Sequence, residues 1–196
     1  MYFCILMKLP IIAYGDPVLR RKATNIEPDE YPHIKKLVDD MFETMYAAKG
    51  VGLAAPQIGL SMRLFVVDAS PFDDDEPELK NFKKTFINAQ ILSEDGEEWA
   101  FNEGCLSIPE IREDVYRKPN LRISYYDADW KHHEENFSGL AARIIQHEYD
   151  HIEGKLFTDK LNPLRKRLIQ KKLTEISKGN VSVDYRMKFP AVKKGR

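Results

Sequence analysis

The stretch "QHEYDH", residues 146–151, restricts this chain more than any other. It sets His147, Glu148 and His151 in the order His-Glu-x-x-His. Only a helix makes that spacing useful. Positions i and i+4 then share a face, so both imidazoles reach one cation. The carboxylate beside the first His can handle the proton of a water activated there. Read by face, Leu140, Ile144, His147 and His151 fall at i, i+4, i+7 and i+11 and form one stripe. An apolar stripe that turns into two histidines, with a carboxylate beside it, points to a metal site rather than a plain core face. Catalytic zinc-like centres take three protein ligands and a water. The fold must therefore bring a third ligand from elsewhere in the chain.

Two residues compete for that place. Glu175, on a helix downstream, is the third ligand of a zincin-type metallopeptidase; as a plain reading it is a solvated residue among Lys171, Lys172 and Lys178. Cys105, upstream in "NEGCLSIP", offers a thiolate, a strong ligand for zinc or ferrous iron, and Gly104 lets backbone approach it. A lone cysteine otherwise reads as a small buried hydrophobe. A third possibility is a non-catalytic binding module that the metal merely stabilises. His132 and His133 lie in a polar hairpin and read as surface.

The bulk numbers are ordinary for a soluble globular protein. The 196 residues are 43% hydrophobic and 31% charged, enough for one domain with a sizeable core. A net charge of −1 carries no basic footprint for nucleic acid, and no apolar run is long enough to cross a bilayer. Cys4 and Cys105 are too far apart to read as a disulfide, and no targeting segment stands out, which favours the cytoplasm. Residues 1–6 read as a short leader.

Along the chain, Ile34, Leu37, Val38, Met41, Met45 and Tyr46 fall at helical spacing, giving a helix from about Tyr31 to Lys49 with Gly50 as its C′ residue. "GVGLAAPQIG" reads as a tight loop and "MRLFVVD" as a strand. The acidic stretch 73–80 reads as a solvated loop. Strands follow around "TFINAQIL", "EEWAF", "DVYRK", "LRISYYD" and "HEENFS". Ser138 is the expected N-cap of the motif helix and Gly154 its end. A last helix runs from Pro163 toward Gly179, and residues 180–196 read as a loose basic tail. The expected fold is α+β, a single catalytic domain over 1–196. Its strands, mostly antiparallel, pack around a central metal-binding helix, with one helix N-terminal and another C-terminal.

Three segments in order, "GVGLAAPQ" (50–57), "EGCLS" (103–107) and "QHEYDHIEG" (146–154), closely resemble the signature motifs of the peptide deformylase family, and "PIIAYGDPVLRRKA" resembles its N-terminal segment. That family removes the formyl group from the formyl-methionine of new proteins and releases formate. The resemblance implies metal ligation by Cys105, His147 and His151, with Glu148 as general base and acid. It implies an oxyanion held by the Gln57 amide and the Leu106 N–H. Gly50, Val51 and Gly52 would let an extended peptide come close, Phe101 and Leu140 would wall a methionine pocket, and Arg112 would position the peptide. Glu103 counts among these substrate-side residues and, with Asp150, among groups that fix ligand orientation. Arg143 reads as a pocket-edge residue that narrows the pocket or turns its head to solvent, and Arg117 as the partner of Asp150. The implied cofactor is one divalent ion, ferrous iron in cells, with zinc, nickel or cobalt substituting. The implied partners are N-formylmethionyl peptides and nascent chains. The resemblance adds the ribosome as a partner through the basic residues Arg165, Lys166, Arg167, Lys171, Lys172, Lys188, Lys193 and Lys194, for which a solvated helix and tail is the plain alternative.

Overall fold

A computed structural model describes residues 6–27, 29, 34–74 and 76–190. Its elements in chain order are β1 (Ile11–Ile12), α1 (Ile34–Ala47), β2 (Gly52–Ala54), β3 (Leu64–Asp68), β4 (Lys83–Asp95), β5 (Trp99–Cys105), β6 (Ile108–Arg117), β7 (Asn120–Tyr126), β8 (His132–Phe137), α2 (Gly139–Ile152), α3 (Pro163–Ser177) and β9 (Met187–Lys188), with short 3-10 turns between them. The expected α+β class is what forms. β2, β3, β4, β7 and β8 make one antiparallel sheet in that order, and β5 and β6 make a separate hairpin.

β3 explains how the layers meet. All five of its residues are buried, and period-2 alternation splits them between two helices. Leu64 and Val66 join Ile34, Leu37, Val38, Met41 and Met45 of α1. Phe65 and Val67 join Ala141, Ala142, Ile144 and Ile145 of α2. Phe65 stacks on Phe86 with ring centroids 4.7 Å apart. Each such buried side chain stabilises the fold by roughly 1.5–3 kcal/mol relative to exposure. A third cluster joins Ile108, Ile111 and Val115 of β6 to Ile169, Leu173 and Ile176 of α3. The metal-motif helix α2 thus lies between the sheet and the hairpin.

Four expectations need correction. The left-handed residue that closes α1 is Lys49 (φ 57), one position before Gly50; the Gly50 N–H then reaches back to the Met45 carbonyl at 2.9 Å. The expected first residues of this helix, 31–33, lie outside the described residues. Ser138 makes no side-chain cap on α2. The Glu76 carboxylate takes that role, accepting from the Leu140 N–H at 3.2 and 3.3 Å. A carboxylate at a helix N-terminus also meets the positive end of the helix dipole. The stretch 73–80 is therefore not merely a solvated loop, and Leu79 within it is buried. Finally, residues 181–190 are not a loose tail. β9 pairs in parallel with β1, and Val181, Met187 and Phe189 pack on the third cluster. Apolar side chains at alternate positions give this segment a face to bury, which its basic composition hides. Residues 1–5 and 191–196, including Lys193 and Lys194, lie outside the described residues. No helix among the described residues is long and apolar enough to cross a membrane.

Candidate metal centre

α2 places His147 and His151 one turn apart, with ring centroids 5.2 Å apart. Cys105 arrives at the end of β5, where the hairpin turns through Leu106 and Ser107 into β6. Its sulfur lies 3.3 Å from His151 Nε2. One ligand atom from each of Cys105, His147 and His151 falls within 4.8 Å of the others. A thiol and two imidazoles from two distant parts of the chain have converged, and this is a metal site. Glu175 takes no part. It lies on α3, where its carboxylate engages Lys178 at 3.1 Å and Asn180 at 2.6 Å.

The donor set fits a divalent ion on its own chemistry. Glu103 accepts from His147 Nδ1–H at 2.8 Å. That bond fixes the tautomer and leaves Nε2 free as a ligand atom. Burial first, then the positive neighbours His147 and Arg117, drive the His151 pKa well below an ordinary imidazole, so this ring is neutral and able to ligate. Burial opposes charge on His147 as well, yet hydrogen bonds with Cys105 and Glu103 and the charge of Glu148 hold its pKa up to about 10. The groups around His147 therefore favour positive charge there, which a bound cation supplies as well as a proton does.

Glu103 anchors the surroundings. It is 4% exposed. It accepts from Arg117 Nε at 2.7 Å, Arg117 Nη2 at 3.0 Å and Arg143 Nη1 at 3.1 Å, besides His147. Burial works against its charge, but the bonds from His147 and Arg117 hold its pKa far below the usual carboxylate range. With both oxygens so occupied, Glu103 holds the His147 ring in place, and it also borders the cleft over the centre. Arg117 also reaches Asp150 Oδ2 at 2.7 Å, the expected pair. Arg143 does not turn its head to water. It is buried, with its guanidinium over the Trp99 ring at 4.5 Å and donating to the carbonyls of Trp99 at 2.7 Å and Val115 at 3.1 Å.

Glu148 stands apart from this network. It is 4% exposed, and its Oε2 has no hydrogen-bond partner among the described residues. Burial pushes its pKa up to about 7, against the pull of His147 and Arg117. A carboxylate poised near neutral pH suits a proton carrier. The glycine loop is shaped around it: a Cβ on Gly52 would stand 2.3 Å from Glu148 Oε1. A Cβ on Gly50 would likewise stand 2.8 Å from the Leu106 side chain. After β2, a 3-10 turn over Ala55–Ile58 buries Gln57. Its Oε1 accepts from the Ala54 N–H at 2.8 Å, and its Nε2 lies 3.4 Å from Cys105 Sγ and from Ser107 Oγ. That bonding aims the amide N–H groups at the Cys105 side of the cluster.

A cleft of about 840 Å3 opens over the centre. Gly50, Val51, Gly52, Phe101, Leu106 and Leu140 are among the residues that line it. Arg112 stands at its rim, donating to Asn102 Oδ1 at 2.9 Å and to the Asn102 carbonyl at 2.6 Å. His151 lies beneath, 1% exposed. Some lining residues went unforeseen. Phe72 comes from just before the acidic stretch, and Ser182 to Tyr185 come from the expected tail. The alternation of Val181, Val183, Tyr185, Met187 and Phe189 was the signal available for the latter.

Comparison with known proteins agrees along nearly the whole chain. A family model described as Polypeptide deformylase matches residues 8–167. The peptide deformylase of Flavobacterium johnsoniae is 61% identical over 197 residues, covering 97% of this chain and 100% of that protein. That of Christiangramia forsetii is 59% identical over the same length and coverage. Among solved structures, the peptide deformylase of Thermus thermophilus superposes with a TM-score of 0.78 at 39% identity, over 88% of this chain and 99% of that one. That of Legionella pneumophila gives 0.77 at 37%, over 89% and 98%. On the match of the family model and on relatives of this identity over almost their full length, the chain belongs to the polypeptide deformylase family.

Proposed function

We propose that this chain hydrolyses the formyl amide at the N-terminus of formyl-methionyl polypeptides, releasing formate and a free amine. The observation that carries the reading is the convergence of Cys105, His147 and His151 at the floor of an apolar cleft, beside Glu148, whose buried Oε2 has no hydrogen-bond partner among the described residues. Cys105, His147 and His151 would hold a divalent ion, which would supply Lewis acidity and make water there a better nucleophile near neutral pH. Glu148 accepts the proton of the water that attacks the formyl carbon. The Gln57 amide and the Leu106 N–H are the donors for the oxyanion that results, and they are useful because they are set before charge develops. Glu148 then returns its proton to the nitrogen as the carbon–nitrogen bond breaks, since an unprotonated amine leaves poorly.

Phe101, Leu140 and Ile144 form an apolar wall suited to a methionine side chain. β2 stands at the edge of its sheet, so an extended peptide can lie along Gly50–Gly52 as an added strand with Arg112 at the rim. The Cys/His/His set suits zinc and ferrous iron alike; we assign ferrous iron in the cell, with nickel, cobalt or zinc able to substitute. The test is formate release from formyl-Met-Ala-Ser, with Met-Ala-Ser as the control for peptide-bond cleavage. Formate with an intact tripeptide supports deformylation; cleavage within the tripeptide overturns it.

The partner reading adds the ribosome. Arg167, Lys171 and Lys172 of α3 and Lys188 of β9 are exposed, while Arg165 is engaged by Glu113 at 2.8 Å. Charge reversal at Lys171 and Lys172, followed by ribosome co-sedimentation at several salt concentrations, tests it. No loss at any salt removes the ribosome as partner.

A further inference from the structure

The segment "VSVDYRMKF", residues 181–189, keeps its odd-numbered side chains half-buried and its even-numbered ones exposed. It is pinned along its second half. The Ile11 N–H donates to the Arg186 carbonyl at 2.8 Å and the Ala13 N–H to the Lys188 carbonyl at 2.9 Å. Val181 packs on the core under α3 at the other end. Between these anchors, Ser182 to Tyr185 stand as one wall of the cleft, with Asp184 paired to Lys49 beside the glycine loop.

One contact from this strap enters the machinery. The Tyr185 hydroxyl donates to the Leu106 carbonyl at 2.8 Å. The next carbonyl, that of Ser107, accepts from the Tyr14 N–H at 2.9 Å. The two turn carbonyls after Cys105 are thus each held by a donor close to the β1–β9 pair. Leu106 carries the N–H assigned above to the oxyanion. Its own peptide plane and the plane that Tyr185 grips meet at one Cα, so turning the second disturbs the aim of the first.

We propose that Tyr185 is a positioning residue of the hydrolysis, holding the Leu106–Ser107 turn so that the Leu106 N–H stays aimed at the developing oxyanion. The C-terminal strap is then part of the active site. The inference rests on the deformylation reading. A preset donor acts mainly on the transition state, so its loss lowers kcat more than it raises KM.

The experiment compares the full chain with Tyr185→Phe, which keeps the ring and removes only the hydroxyl. Both are loaded with nickel and assayed for formate release from formyl-Met-Ala-Ser, with metal content and Tm measured alongside. The expected result is a kcat about five- to tenfold lower, from the loss of one neutral hydrogen bond, with KM within about twofold and metal content unchanged. An unaltered kcat per metal-loaded molecule overturns the proposal, whatever happens to Tm. A raised KM at constant kcat overturns it too, because it makes Tyr185 a simple substrate wall. If the unsubstituted chain releases no formate, the deformylation reading itself fails, and that outcome is visible before any variant is compared.

Discussion

α2 and α3 are nearly the same length, 14 and 15 residues, and both carry acids and bases. Twelve residues of α2 are buried against three of α3, and the same side-chain types do opposite things on the two. On α3, Glu175 bonds to neighbours on its own surface, and its charge costs little in water. On α2, Arg143 and Asp150 are taken into the interior and tied to Glu103 and Arg117, while Glu148 Oε2 has no hydrogen-bond partner among the described residues. Burial with a partner builds a scaffold, burial without one builds a reactive group, and exposure builds neither.

The largest test of that contrast is chemical. Glu148→Ala should cut formate release by about 10²–10⁴-fold with the metal retained, the usual worth of a general base. Cys105→Ala should lose both metal and activity. Loss of metal from the Glu148 variant, measured by elemental analysis, would show that carboxylate to be a ligand and undo its assignment as proton carrier.

Next comes stability. Arg117→Ala leaves Glu103 and Asp150 buried without their main cation, and removing one partner of a buried ion pair costs about 3–5 kcal/mol. Denaturant unfolding should register a loss of that order. A change under about 1 kcal/mol, the scale of a surface pair, would make the interior network no different from α3.

A subtler effect is the pH dependence of the chelated protein. Burial raises Glu148 from 4.5 to about 7, so the folded state holds its proton longer than the unfolded state. The stability this adds is full below 4.5 and is lost as pH rises through about 7. His147, raised from 6.5 to about 10, acts in the same direction over a later window. The Tm of the chelated protein should therefore fall between about pH 5 and pH 8, and Glu148→Gln should flatten the part below pH 7. Glu175 is shifted the other way, held down first by Asn180 and then by Lys178, so its contribution fades only as pH falls. A Glu148→Gln variant whose Tm declines as steeply as the unsubstituted chain's would break the account.

The smallest expected effect is on α3. Glu175→Ala should leave rate and metal content unchanged. Loss of metal there would revive the zincin arrangement and overturn the contrast between the helices.

Much of this was legible from residues alone. His-Glu-x-x-His specifies a helix because only 3.6-residue periodicity brings those side chains together, and Gly154 (φ 71) and Gly179 (φ 85) end their helices as expected. The pairing of Arg117 with Asp150 was foreseen, and so were most of the strands. What failed was long-range. Glu76 capping α2 and Phe72 reaching the cleft both depend on which distant segment lies alongside. In 180–196, basic composition outweighed a period-2 apolar pattern that was there to be counted.

The sequence by itself determined the ligand types, the helix that carries two of them and the glycine-rich approach, because these follow from local periodicity and side-chain chemistry. The three-motif resemblance already favoured Cys105 over Glu175, and only the tertiary structure decided that Glu103 bonds His147 and that Tyr185 grips the turn beside Cys105. Those choices belong to contacts between residues tens of positions apart, where packing rather than local propensity sets who meets whom.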